Sequence, residues 1–250
     1  MTVPVFLVER ARLVDTARVR LDGAEGRHAA TVRRLQPGER IDLTDGAGFV
    51  AECRVAVAER NALDLDVIAC RVHSAPQPRL TVVQALPKGE RGELAVELLT
   101  EVGVDAIVPW SAARCVTVWR AERAVKSLAR WRSTAGEAAK QARRVWLPDV
   151  TELADSAQVA ARLKTATLGL LLHESGNRPI ASLAPLPVSG DVVLVVGPEG
   201  GITDAELALF TASGARPCRL GPTVLRTSTA GVAAAAVLLS RTARWGSVPG

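Results

Sequence analysis

Five aliphatic residues, Val192 to Val196, run straight into Gly197-Pro198-Glu199-Gly200-Gly201, and Thr203 and Glu206 follow at the spacing of a helix-capping box. The order reads as buried strand, tight glycine loop, helix. A loop of this kind exposes backbone N–H and C=O groups to whatever lies above it, because glycine lets the backbone come close. It is neither a GxGxxG fingerprint nor a Walker A loop. Pro198 removes one N–H donor, and Glu199 repels phosphate. The loop therefore favours a neutral or cationic ligand over a nucleotide triphosphate.

S-adenosylmethionine meets that description, since it carries a sulfonium cation and an adenosine and no phosphate. An ordinary strand-to-helix turn with Glu199 in solvent fits the same spacing.

In an open parallel sheet, ligands lie beyond the carboxyl ends of the strands. Two further strand ends are unusual. One is Leu172-His173, followed by Glu174 and the turn Ser175-Gly176-Asn177. The other is Leu220-Gly221-Pro222-Thr223-Val224-Leu225-Arg226-Thr227-Ser228-Thr229-Ala230. Lys88, in "ALPKGER", follows a strand and is placed to touch a substrate or to sit in water. His173 closes an apolar strand, where a histidine serves packing as readily as chemistry. His28 lies in "GRHAATVRR" beside Arg27, Arg33 and Arg34; those cations suit a phosphate backbone or a plain solvated face.

The elements that must position these residues fall into two patterns. Residues 1–73 alternate in short apolar runs ("PVFLV", "IDLTD", "FVAECRVAVAE", "LDLDVIACRV") with one helix over "GAEGRHAATVRRL". They predict a small β-rich barrel or sandwich. Residues 74–79, with two prolines and no apolar period, are the expected linker. Over 80–250 strands alternate with helices: "LTVVQAL", a helix ending at Gly103, "DAIVPW", a long basic helix over 121–146, "ATLGLLLHE", "DVVLVVG", a helix from Thr203, "ARPCRLG", and an alanine-rich helix over about 226–243. That alternation predicts an α/β domain with a mostly parallel sheet.

Composition narrows the class. The chain has 250 residues, 48% hydrophobic and 23% charged, with no apolar run long enough to span a membrane. The first residues do not form a signal peptide, so a cytoplasmic location is expected. The four cysteines are scattered and the three histidines form no zinc spacing, so no metal is expected and the thiols read as reduced and buried. Net charge is +5. It is uneven: residues 120–144 hold eight Lys/Arg against two acids, and residues 9–34 seven Arg against four acids. Two basic segments suit a polyanion such as RNA. The five tryptophans read chiefly as core or interface anchors.

Taken in order, "QALPKGERGELAVELLTEVGVDAIVPWSAARC", "RWRSTAGEAAKQARR", "LVVGPEGGITDAEL" and "LGPTVLRTSTA" resemble the successive signatures of the RsmE family, and "GRHAATVRRLQPGERIDLTDG" resembles that family's N-terminal domain. These are SPOUT-superfamily methyltransferases that modify N3 of a uridine in small-subunit (16S) ribosomal RNA. The resemblance spans almost the whole chain. It implies a PUA-like RNA-binding barrel followed by a SPOUT α/β trefoil-knot domain. The three strand-end loops would be knot loops wrapped around S-adenosylmethionine. It also implies a homodimer acting on RNA within the 30S subunit; the alanine-rich last helix, whose small residues permit close approach, is the candidate interface.

The cofactor would meet Leu172, His173, Gly197, Pro198, Glu199, Gly200, Gly201, Leu220, Gly221, Val224, Leu225, Arg226, Thr227, Ser228, Thr229 and Ala230. Arg226 would stabilise a uracil anion, and Glu199 is the nearest candidate to take its proton or else to orient another residue. RNA would be held by Arg10, Arg12, Arg27, His28, Arg33, Arg34, Lys88, Lys140, Arg143 and Arg144. The family usually has glutamate where this chain has Ser228. Two other readings remain open: a SPOUT methyltransferase acting on transfer RNA or a ribose 2′-hydroxyl, and a non-catalytic RNA-binding assembly factor.

Overall fold

The computed structural model describes residues 3–246, which form two compact units: residues 3–75 with 139–147, and residues 76–138 with 148–246.

In the first unit β1 (Val5–Leu7), β2 (Arg18–Leu21), β3 (Arg40–Thr44), β4 (Phe49–Ala58) and β5 (Leu63–Val72) make one curled sheet in the order β1-β3-β4-β5-β2. Only the β1–β3 pair is parallel. Alternating residues (Leu21, Ile41, Leu43, Cys53, Leu63, Leu65) turn inward with Phe6 and Leu13, which is why each strand reads apolar at every second position.

The helix after β2 is not regular. α1 (Gly23–Arg27) passes directly into one turn of π-helix over His28–Val32, and the chain leaves through Arg34 at φ 54°. The wider turn breaks the 3.6-residue spacing assumed for its cations.

In the second unit β6 (Arg79–Ala85), α2 (Arg91–Val102), β7 (Ala106–Trp110), α3 (Ala121–Gln141), β8 (Asp149–Val150), α4 (Ser156–Thr165), β9 (Leu168–Leu172), β10 (Asp191–Val196), α5 (Asp204–Ala212), β11 (Ala215–Cys218), α6 (Thr227–Leu239) and α7 (Ala243–Gly246) follow one another, with the last turn of α3 counted in the first unit. Their sheet is wholly parallel, in the order β11-β9-β10-β6-β7-β8. Val82, Leu170 and Leu194 face one apolar layer, which includes residues of α2, α3 and α6. Val83, Leu171 and Val193 face the other, which includes α4 and α5. Cover on both faces explains strands that are apolar at every position rather than alternately.

α3 ends earlier than the basic pattern predicts. Arg143 sits at φ 54°, its N–H bonds to Lys140 O, and the Arg144 N–H bonds to Ala139 O at 2.8 Å. That pair of bonds is a Schellman closure, usually made by glycine.

Between β9 and β10, the loop over 173–190 lies against the chain leaving β11. Arg219 N donates to Arg178 O at 3.0 Å and Ile180 N to Arg219 O at 2.8 Å. Arg241, just after α6, donates to Ile180 O and Leu183 O. A Cβ on Gly176 would lie 2.6–2.8 Å from the Cys218 backbone, so only glycine allows this crossing. These bonds pack together two of the three loops that the resemblance expects to form the knot.

Four of the tryptophans are spent on structure. Trp110 is wholly buried, Trp119 and Trp131 pack edge-to-face at 5.0 Å, and Trp146 donates to His73 O at 3.1 Å; Trp245 is the exposed one. The buried side of α6 (Gly231, Ala234, Ala235, Leu238, Leu239) packs within the unit, and α2 is its main helical neighbour. Small residues there permit close approach: a Cβ on Gly231 would sit 3.2 Å from Leu99. Val232, Ala233, Ala236 and Val237 remain half-buried on its other side.

Candidate functional site

Order β11-β9-β10 places three consecutive carboxyl ends side by side, and their loops enclose a cleft of about 750 Å³. That volume is ordinary for a small-molecule site.

The floor comes from β10. Gly201 N bonds to Pro198 O at 2.9 Å, closing a tight turn in which Gly201 has φ +73°, a left-handed angle that suits glycine. Thr203 then caps α5: its hydroxyl accepts from Glu206 N at 3.2 Å, while Glu206 Oε2 accepts from Thr203 N at 3.1 Å. Glu199 reaches out of the turn and accepts the Lys88 backbone N–H at 3.1 Å. The Lys88 side chain is exposed and not part of the cleft wall.

β9 delivers His173. Its Nδ1 accepts from Ser175 N at 3.1 Å and lies 2.7 Å from Ser175 Oγ. With Nδ1 accepting the Ser175 N–H, the ring's donor is Nε2. His173 lines the cleft as a hydrogen-bond donor.

β11 delivers the third wall. Gly221, Thr223, Val224 and Leu225 donate no backbone N–H to any protein acceptor among the described residues. This exposed strand of chain can bond a ligand edge through its main chain. Arg226 occupies the N-cap of α6, where Ser, Thr, Asp or Asn is usual. A cation at the positive end of a helix costs stability and adds its field to that of the dipole. Its guanidinium is exposed and has no hydrogen-bond or ion-pair partner among the described residues. Such a departure from the usual N-cap chemistry makes Arg226 a candidate for function.

Thus Leu172, His173, Gly197 to Gly201, Leu220, Gly221, Val224 to Thr227 and Ala230 meet in one cleft. Ser228 and Thr229 do not line it; Ser228 is buried in the first turn of α6. The glutamate expected at this position from the resemblance is therefore replaced at a buried site behind the wall.

Arg114, which follows β7, is not among the residues that the sequence motifs single out. It lies beside Gly200, donates to Gly200 O at 3.3 Å, and lines the cleft. Only the β6–β7 pairing beside β10 brings it there, and "PWSAARC" carries no local signal of that.

The cations expected to hold RNA divide in the first unit. Arg27, Arg33, Arg34 and Arg143 are exposed, and no ion pair engages them among the described residues. Arg10 pairs with Asp45 at 3.7 Å and Arg12 with Asp22 at 3.2 Å. Lys140 is buried against Glu25 at 2.8 Å, so it stabilises the unit rather than facing solvent. His28 packs edge-on to Phe6 at 5.7 Å, and Arg144 is half-buried in the α3 closure.

Residues 73–239 match a family model described as an RNA methyltransferase domain, and residues 21–68 one described as an RNA methyltransferase PUA domain. The ribosomal RNA small subunit methyltransferase E of Mycobacterium tuberculosis is 46% identical over 98% of this chain and 94% of its own length. The protein of the same name from Bacillus subtilis is 30% identical over 84% and 85%.

The chain belongs to the ribosomal RNA small subunit methyltransferase E family.

Solved structures agree in fold. The family member from Neisseria gonorrhoeae, bound to S-adenosyl methionine, superposes with a TM-score of 0.82 over 96% of this chain and 98% of that one, at 26% identity. A methyltransferase from Legionella pneumophila in complex with the same cofactor gives 0.85 over 97% and 99%, also at 26%. Among the described residues no group of three or more His, Cys, Asp or Glu is placed to hold a metal, and no helix is long and apolar enough to cross a membrane.

Proposed function

We propose that this chain transfers the methyl group of S-adenosylmethionine to N3 of a uridine in small-subunit ribosomal RNA. The observation that carries the reading is the three-loop cleft holding Glu199 and an Arg226 without a partner among the described residues, in a family named for this RNA and with a member bound to this cofactor. The residues present fit the cofactor. Free main-chain groups of Gly221 to Leu225 suit an adenine edge, apolar Leu172, Val196 and Ile202 suit its faces, and Glu199 suits a nearby sulfonium charge.

The bound cofactor supplies a methyl group already activated on a sulfonium. The chain's residues must then do three things. They must hold the base out of its stack, because N3 is hidden in a pair. They must take the N3 proton, since only the deprotonated nitrogen has the lone pair to attack. They must also stabilise the charge left on the uracil. Glu199 keeps one carboxylate oxygen on Lys88 N and has the other for the proton. Arg226 is the cation for the ionised base. His173 contributes a fixed N–H. Arg27, Arg33, Arg34 and Arg143 hold phosphates, which positions the RNA without reading its sequence.

The protein would act in the cytoplasm, as a homodimer joined through the outer side of α6, on the RNA of a 30S subunit. The test is transfer of labelled methyl from S-adenosylmethionine to small subunits and to naked RNA, followed by nucleoside mass spectrometry. N3-methyluridine is expected, and with better yield from subunits. A methyl group on ribose, or only on transfer RNA, would replace this reading with another SPOUT activity. Cofactor binding without any transfer would leave an assembly factor.

A further inference from the structure

Glu206 is the most heavily engaged carboxylate near the cleft, yet it does not line it. It is 5% exposed. Oε1 accepts from Ala113 N at 2.9 Å and from Ser156 Oγ at 3.0 Å. Oε2 accepts from Thr203 N at 3.1 Å and from Thr203 Oγ1 at 2.8 Å. Ser156 in turn accepts from Trp110 Nε1 at 3.2 Å. One side chain thus joins the start of α5, the start of α4 and the segment leaving β7.

A helix cap needs only the Thr203 bonds. The bond to Ala113 does something else, because the next residue is Arg114. The Arg114 backbone and Cβ lie so close to Gly200 that a Cβ there would be 3.0 Å from both, and the Arg114 guanidinium donates to Gly200 O. Glu206 therefore fixes the segment that presses on the glycine loop from outside.

We propose that Glu206 is a positioning residue for methyl transfer, acting through Ala113 and Arg114 to hold Gly200 and Gly201 at the cofactor. This rests on the reading of the cleft as an S-adenosylmethionine site. Both carboxylate oxygens accept two donors each. In Glu206→Gln one of them becomes an NH₂ group facing a backbone N–H that cannot turn away. Either the Ala113 or the Thr203 bond is lost, and a shift well under an ångström suffices to misplace a bound reactant.

The test measures S-adenosylmethionine affinity by calorimetry, and KM and kcat for transfer, in wild type, Glu206→Gln, Arg114→Ala, the double variant and Thr203→Ala. Glu206→Gln should weaken cofactor binding by about tenfold, with KM for cofactor rising more than kcat falls. Arg114→Ala should do the same. The double variant should be no worse than either single one, because both act along one path. Thr203→Ala, which loses the cap hydroxyl and keeps the Ala113 bond, should lower the melting temperature and leave the affinity near wild type.

Wild-type binding with unchanged affinity in both Glu206→Gln and Arg114→Ala overturns the inference while leaving the cofactor reading intact. Additive losses in the double variant also overturn it. If Glu206→Gln does not fold, unchanged affinity in Arg114→Ala is sufficient to reject it. Failure of the wild type to bind would instead reject the cofactor reading.

Discussion

The Glu199 carboxylate accepts the Lys88 backbone N–H at 3.1 Å, tying the glycine loop after β10 to the turn after β6. The contact fixes where the acid stands and leaves its second oxygen for chemistry. Glutamine in its place keeps an acceptor for Lys88 and removes the group proposed as the base. Glu199→Gln should therefore lower kcat by about 100-fold or more near neutral pH, the usual worth of a general base. The loss should shrink as pH rises, because alkaline solvent ionises the uracil without help. A pH–rate profile on the RNA substrate checks this; a deficit independent of pH would reduce Glu199 to a tether.

Gly221 and Gly200 both line the cleft but differ in what surrounds them. A Cβ on Gly221 meets nothing within 4 Å, and its φ is not left-handed, whereas one on Gly200 presses on Arg114. Bulk at Gly200 would displace the loop as well as fill the site, so loss of binding there has two causes. Gly221→Val fills only the cleft. It should weaken S-adenosylmethionine by at least about tenfold, or ~1.4 kcal/mol, while the melting temperature stays within about 2 °C. Calorimetry beside thermal melts decides it, and unchanged affinity would remove this loop from the cofactor site.

Much of this site is legible in sequence because its signals are local. An apolar run stopping at Gly197, and Thr203 followed by Glu206, specify strand, turn and capped helix within fifteen residues. What was missed depends on chain order in the sheet. Arg114 reaches Gly200 only because β7 pairs with β6 and β6 with β10. β8 is only two residues long and gives no strand pattern, whereas α4 does carry a local signal, the Asp155–Gln158 capping box, that the strand–helix alternation read over 80–250 does not use. The basic pattern runs past the end of α3 because the stop is made by Arg143 in a left-handed conformation, with no glycine to announce it. Charge was legible in amount but not in use: Arg10, Arg12 and Lys140 are cations committed to acids of their own unit.

That distinction can be measured. Arg33, Arg34 and Arg143 are exposed and outside any ion pair among the described residues, so each can release counterions from RNA phosphate. The variant Arg33→Ala/Arg34→Ala/Arg143→Ala should flatten the plot of log binding constant against log salt by about 2 to 3. Cofactor affinity should not change. Arg12→Ala breaks the pair with Asp22 and should leave the slope nearly as it was. Equal slopes in all three proteins would place the RNA elsewhere.

Breaking the ion pair inside the first unit should cost stability rather than RNA affinity. The Lys140 side chain is 9% exposed and that of Glu25 23%. Lys140→Ala leaves the Glu25 carboxylate without this partner in a half-buried place, a loss of about 3 kcal/mol. Denaturant unfolding should show that loss, with an RNA salt slope close to wild type. A flatter slope with unchanged stability would return Lys140 to the RNA surface.

Acid should expose the work done by Glu206. Burial pushes its carboxyl up, but hydrogen bonds from Ala113 N, from Thr203 N and Oγ1 and from Ser156 Oγ outweigh that and hold it below the ordinary value of 4.5. The unfolded chain, at the ordinary value, then binds the proton more tightly than the folded one. The carboxylate's contribution to stability is complete above about pH 4.5 and is lost as pH falls through the lower folded value. Glu206→Gln has no such titration. Its melting temperature should lie below wild type by a constant gap at neutral pH, and the gap should close as pH falls below about 4.5 through the lower folded value. A gap that persists unchanged to the lowest pH would mean that the carboxamide fails through its shape, and that the charge on Glu206 contributes nothing to the fold.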